Sequence, residues 1–200
     1  LLKGKSLFRR INMKKFITKP KVIITICIIA ILAVIVSNIK IQSVDEYYME
    51  HATDISEDSE TVYLTILCDT VFDNMDKLND NLEQYIPKDG VILERTEYVL
   101  RQGDTVFDVL QRAVSLNKIQ MEYQGADSNT YGTAYVEGIN YLYEFSCGNL
   151  SGWMYMVNGE FVQYGCSNYV LKDGDDIKWV YTCDLGEDVK KYQEDKNEGK

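Results

Sequence analysis

Apolar residues are spaced along this chain of 200 residues in three different ways, and each spacing predicts a different element. Between Lys21 and Lys40 they are continuous. The run VIITICIIAILAVIVSNI carries no charge over eighteen residues, and among its side chains Thr25, Ser37 and Asn38 are the polar ones apart from the thiol of Cys27. As a helix it would span roughly 27 Å, close to the ~30 Å hydrocarbon core of a bilayer. It therefore predicts a transmembrane anchor or signal segment over 22–39. The anchor is preferred to a cleaved signal peptide, because the run exceeds the usual ~7–15-residue signal core and no A-x-A follows it, Ile35-Val36-Ser37 being only a weak cleavage site. Met13-Lys14-Lys15 reads as the opening of such an export signal, which would make 1–12 an upstream extension.

The stretch 40–60 is polar and acidic without a sustained period, and it reads as a linker. Strand-like alternation begins after it. Thr61–Leu67 is β-branched and aromatic and predicts a strand; Pro87-Lys-Asp-Gly90 predicts a turn, and Val91–Leu100 a second strand. Helical spacing appears once. Val106, Phe107, Val109, Leu110, Ala113 and Val114 share one face, Thr105 or Asp104 can cap the first turn, Asp108 completes a box, and the helix should end near Asn117. From Met121 onward short strands return, over Tyr135–Tyr143, Gly152–Val157, Glu160–Tyr164 and Ile177–Thr182. Asn158-Gly159 joins two of them with residues that tolerate positive φ, a hairpin signal, and Lys172–Asp175 turns into the last. Strands, one helix and more strands make an α+β pattern, a sheet on one main helix behind the apolar N-terminal segment. The folded part is expected over 61–189, with a charged tail over 190–200.

Charge separates the chain into two parts. Residues 1–40 hold nine basic side chains and no acidic one, which leaves twelve basic against thirty-one acidic residues in the rest, a net of −19. The basic segment 1–21 should stay in the cytoplasm, which makes the rest extracytoplasmic, or secreted if the signal is cleaved. An acidic domain would be repelled by phosphate backbones, so nucleic acid is excluded as a partner.

Catalytic patterns are missing from the folded part. The one histidine, His51, lies in the linker, so no Ser-His or Cys-His dyad can form in the domain. There is no Cys-x-x-Cys, H-E-x-x-H or P-loop spacing. Asp173-Gly174-Asp175-Asp176 offers oxygens for a cation but lacks the further ligands of an EF-hand, and it reads as a solvated turn. No metal site and no enzyme activity are expected. Fifteen Tyr and two Trp are many for so small a domain, and such amphipathic rings suit a binding face. Trp179 reads as core. Trp153 admits both readings, since Ser151-Gly152 before it permits close approach of a ligand or another strand.

Four segments together resemble a bacterial exported domain related to the C-terminal domain of transcobalamin and intrinsic factor: Cys68-Asp-Thr70, Gly103-Asp-Thr-Val-Phe-Asp-Val-Leu110, Ser151-Gly-Trp-Met-Tyr-Met-Val-Asn-Gly159, and Leu171-Lys-Asp-Gly-Asp175 through Trp179-Val-Tyr-Thr-Cys-Asp-Leu-Gly186. The resemblance covers about 61–189. It implies a β-grasp-like sheet on one helix that binds a soluble ligand, a corrinoid in the vertebrate relatives. Those relatives carry a second, helical domain over the other face of the ligand, which this sequence lacks. Local chemistry places a binding surface at the hairpin, with Gly152, Trp153, Tyr155, Asn158 and Tyr164 as its residues, since Gly148 and Gly152 free the backbone, Trp153 and Tyr155 offer flat apolar area and Asn158 offers a donor and an acceptor; the resemblance adds that this part of the fold lies toward the ligand in the vertebrate relatives. In such a sheet the first and last strands lie side by side and parallel, which would pair Cys68 with Cys183 and leave Cys147 with Cys166. The expectation is a binding module for a small ligand, with a transporter or surface protein as a further partner; the alternative is an adhesion or envelope-assembly module that binds protein or glycan.

Overall fold

A computed structural model describes residues 20–38 and 43–189. Most of the basic segment 1–21, the end of the expected span, the start of the linker and the tail 190–200 lie outside them. The chain divides into two units, up to Ser43 and from Val44 onward.

In the first unit, Pro20–Asn38 forms α1, and the apolar side chains described in it, such as Ile23, Ile29 and Val34, are exposed. Described side chains reach only from Pro20 to Val34, about 20 Å of helix. Among the described residues no helix is long and apolar enough to cross a membrane.

The second unit is a mixed α+β fold. Its five-stranded sheet has the order β2-β1-β8-β6-β7, made by β1 (Thr61–Leu67), β2 (Val91–Val99), β6 (Gly152–Val157), β7 (Glu160–Phe161) and β8 (Asp176–Thr182). The parallel pairing of the first and last strands is present, with Leu64 opposite Ile177 and Ile66 opposite Trp179. A second sheet orders β3 (Met121–Gln124), β4 (Tyr135–Ile139) and β5 (Leu142–Tyr143) in sequence.

Strand periodicity sends alternate side chains to opposite faces. Val62, Leu64 and Ile66 of β1, Tyr155 and Val157 of β6, and Ile177 and Trp179 of β8 join Val106, Val109, Leu110 and Ala113 in the main core. Met156 and Val180 face the other way and pack with Val189. The helix α3 (Val106–Asn117) supplies the apolar stripe read from its spacing, and its capping box is formed: Asp108 N–H donates to Thr105 Oγ1, and Thr105 N–H donates to the Asp108 carboxylate. Lys118 closes it in a left-handed conformation with φ 54°.

Three expectations change. The strand expected over 135–143 is two, because Asn140 and Tyr141 both have positive φ and turn β4 back into β5. The strand expected over 160–164 ends at Phe161. The stretch read as a linker is partly built into the fold: Val44–Glu50 is a short helix, α2, and Ala52 is fully buried, its carbonyl accepting from Val99 N–H at 2.7 Å. Seven helical residues and one buried alanine have too little periodicity to be read from a sequence.

Candidate functional site

The hairpin turn is formed as expected, with φ of 53° at Asn158 and 85° at Gly159. Asn158, however, has a structural task. Its Nδ2 donates to Asp175 Oδ1 at 2.8 Å and its Oδ1 accepts from Asp176 N–H at 2.9 Å. The neighbouring carboxylates are also occupied: Asp173 accepts from Thr61 N–H, Asp175 from Lys172 N–H, and Asp176 from Arg95 Nε. The acidic turn thus fastens the start of β8 to β1 and β6.

The structure does not bring the five expected binding residues together. Tyr155 is buried, and its hydroxyl donates to the Tyr164 carbonyl at 2.6 Å. Burial, then the nearby Cys166 and Tyr169, push its pKa up, so it is a neutral donor. Tyr164 presents its own ring to solvent, 71% exposed. Gly152 and Trp153 remain, and they lie at the opposite end of β6 from Asn158. There they line a cleft of about 230 Å³.

The cleft is walled by two loops. Phe145, Asn149 and Leu150 come from the connection between β5 and β6, and Leu185 follows β8, with Tyr135 and Glu144 at one side. Phe145, Leu150 and Leu185 are 58%, 48% and 65% exposed. Phe145 and Leu185 also have φ of 64° and 51°, a left-handed backbone that costs a residue with a Cβ about 1–2 kcal/mol. Hydrogen bonds hold them there. Phe145 N–H donates to the Ser151 carbonyl at 2.9 Å, and Leu185 N–H donates to the Leu150 carbonyl at 3.1 Å.

Ser151 anchors the first loop from inside. Its buried hydroxyl donates to the Gly148 carbonyl at 2.8 Å and accepts from Cys147 N–H at 3.0 Å, with the Tyr181 hydroxyl 3.0 Å away. Thr182 and Asp188 anchor the second: Asp188 accepts from Cys183 N–H at 2.7 Å, and Thr182 Oγ1 accepts from Gly186 N–H at 2.7 Å. Tyr135 donates to Glu144 at 2.5 Å, and burial followed by that carboxylate raises its pKa. The polar contribution at the cleft edge is therefore a neutral phenol beside a carboxyl group.

Trp153 forms the floor rather than a free wall. Its Nε1 donates to the Leu142 carbonyl at 2.8 Å, and its ring meets Tyr181 edge-on at 5.2 Å. Sequence reading missed Phe145, Leu150 and Leu185, because an apolar residue in a loop carries no period. Apolar residues placed beside Gly148 and Gly186, in loops that need positive φ, are the signal that was available.

A larger cleft of about 630 Å³ lies between α2 and α3. Its charged groups serve one another, Arg112 pairing with Asp104 and Asp108 closing the helix cap, so it offers a ligand little that is free.

The cysteines are unbridged. Cys68 and Cys183 share one buried cluster, as expected, but Cys147 lies in that cluster too. Cys166 belongs to the main core, where its Sγ donates to the Ala134 carbonyl at 3.3 Å. The expected neighbours Cys147 and Cys166 are therefore separated, because the loop before β6 folds toward the end of β8 and not along the hairpin. Among the described residues no group of three or more His, Cys, Asp or Glu could hold a metal ion.

No curated protein matches the sequence. Among solved structures, haptocorrin in complex with Cbi is 14% identical with a TM-score of 0.39, over 64% of this chain and 26% of that one. A Ruminococcus gnavus protein described as a "putative metal binding protein" is 14% identical with a TM-score of 0.37, over 62% of this chain and 96% of that one. Residues 103–183 match the family described as "Domain of unknown function (DUF4430)", a span that runs from the turn before α3 to the end of β8. The matched span contains the whole of the cleft except Leu185.

Proposed function

We propose that the second unit is an extracytoplasmic, non-catalytic binding module of β-grasp-like build, which takes the edge of an apolar small molecule in the cleft between Phe145, Leu150 and Leu185. One observation carries the reading. Three large apolar side chains stand in solvent around one depression, two of them held in left-handed backbone by specific hydrogen bonds. Selection for stability alone would place glycine at such positions. The cleft is smaller than the ~300–1,000 Å³ that encloses a drug-sized ligand, so it suits one edge or face of a larger molecule. The resemblance of the Ser151–Gly159 segment to the transcobalamin relatives makes a corrinoid the first ligand to try.

Cobinamide added to the full chain should quench tryptophan fluorescence saturably, since Trp153 floors the cleft. Leu185→Gly relaxes the backbone while removing the side chain, so it should weaken binding about tenfold and shift the melting temperature by no more than a few degrees. Absence of saturable quenching by cobinamide and by cobalamin would remove the corrinoid. Unchanged affinity in Leu185→Gly and in Phe145→Ala would remove the cleft.

The module stands outside the cell on the segment 22–39, with its eight preceding Lys and Arg residues inside. Protease added to intact cells, or to spheroplasts where an outer membrane intervenes, should digest the acidic domain. Complete protection would overturn this topology.

A further inference from the structure

Three cysteines converge beneath the cleft. Cys68, Cys147 and Cys183 are buried in one cluster with Val71, Leu142 and Tyr181. Two of them are tied to the same short stretch of chain. Cys147 Sγ donates to the Asn74 carbonyl at 3.3 Å and Cys183 Sγ reaches the Thr70 carbonyl at 4.0 Å, while Asn74 Nδ2 donates to that Thr70 carbonyl at 3.0 Å.

The strand register leads to the same pair. Gly152 lies opposite Thr182, so the next step along the antiparallel ladder sets Ser151 against Cys183. Ser151 Oγ accepts from Cys147 N–H at 3.0 Å. The two thiols feel each other: burial raises both, and their interaction pushes Cys183 further up while offsetting part of the rise at Cys147.

We propose that Cys147 and Cys183 form a disulfide in an oxidising compartment, and that Cys68 and Cys166 remain thiols. The oxidant is a small or protein disulfide such as oxidised glutathione. The Cys147 thiolate attacks one of its sulfurs and expels a thiol; the Cys183 thiolate then attacks the Cys147 sulfur of the mixed disulfide and expels the second. One S–S bond forms, one is reduced, and the two protons leave on the released thiols. Burial raises the pKa of Cys147 and its partner offsets part of that rise, whereas the same pair pushes Cys183 further up, so Cys147 is the thiol that more readily supplies the reacting thiolate. The bridge joins the loop of Phe145 and Leu150 to the strand end that precedes Leu185, and so fastens both walls of the cleft. The pairing does not depend on which ligand the cleft takes.

The full chain, in detergent, is refolded in a glutathione redox buffer, alkylated and digested without reduction. A peptide joining Cys147 to Cys183 is expected, lost on reduction, with Cys68 and Cys166 alkylated. The oxidised protein should melt roughly 10 °C above its reduced form, and Cys147→Ser should abolish that difference. A Cys68–Cys183 or Cys147–Cys166 peptide would overturn the proposal, as would four alkylated cysteines after the same refolding.

Discussion

Replacing Asp104 with alanine is expected to destabilise the folded unit by about 3–5 kcal/mol, since it leaves the Arg112 guanidinium buried without its counter-charge. Arg112 and Asp104 are 6% and 8% exposed. Nη1 donates to Asp104 Oδ1 at 2.8 Å and Nη2 to Oδ2, and the same Oδ2 accepts from Arg101 N–H at 2.8 Å. The carboxylate therefore neutralises a charge on α3 and holds the turn that leads into it. Arg112 Nε, buried and without a hydrogen-bond partner among the described residues, makes the guanidinium more costly still once its partner is gone. Urea unfolding of Asp104→Ala measures the loss. A double variant, Asp104→Leu with Arg112→Met, should recover most of it, because removing both charges also removes the desolvation penalty. A loss below about 1 kcal/mol in the single variant would mean that water reaches the pair and screens it.

Trp153→Ala should cost a similar amount, about 3–5 kcal/mol, through the cavity it leaves. Trp153 packs against the main core on one side and against the cysteine cluster on the other, and its loss strands the Leu142 carbonyl that accepts from the indole. Trp153→Phe keeps most of the apolar area and should lose noticeably less. Chemical denaturation of both variants beside cobinamide titration separates the two tasks this residue could have. If Trp153→Ala keeps its stability and loses only binding, the ring is a ligand anchor and contributes nothing to the core.

The contrast between Trp153 and Leu185 shows how the site is divided. Trp153 is fixed by a hydrogen bond and by neighbouring rings, so it gives the cleft a rigid floor. Leu185 touches solvent and sits in a backbone conformation that favours glycine, so its side chain adds little to folding. Stability assays should therefore detect the floor and binding assays the walls.

What the sequence determined by itself is local. The strand Thr61–Leu67, the capped helix Val106–Asn117 and the turn Asn158-Gly159 follow from short-range periodicity, from a hydroxyl and a carboxylate three residues apart, and from two residues that accept positive φ. The break at Asn140-Tyr141 and the helix over Val44–Glu50 escaped, since neither is marked by glycine, proline or a sustained period. Tertiary structure alone decided the site. Phe145 and Leu150 meet Leu185 across about thirty-five residues of chain because β6 and β8 pair antiparallel and bring the loop before one to the end of the other. The same pairing sets Cys147 beside Cys183 and leaves Cys166 in a different core. Periodicity along a chain shows which face a side chain takes; which distant residue it meets depends on strand register, and only the packed sheet fixes that.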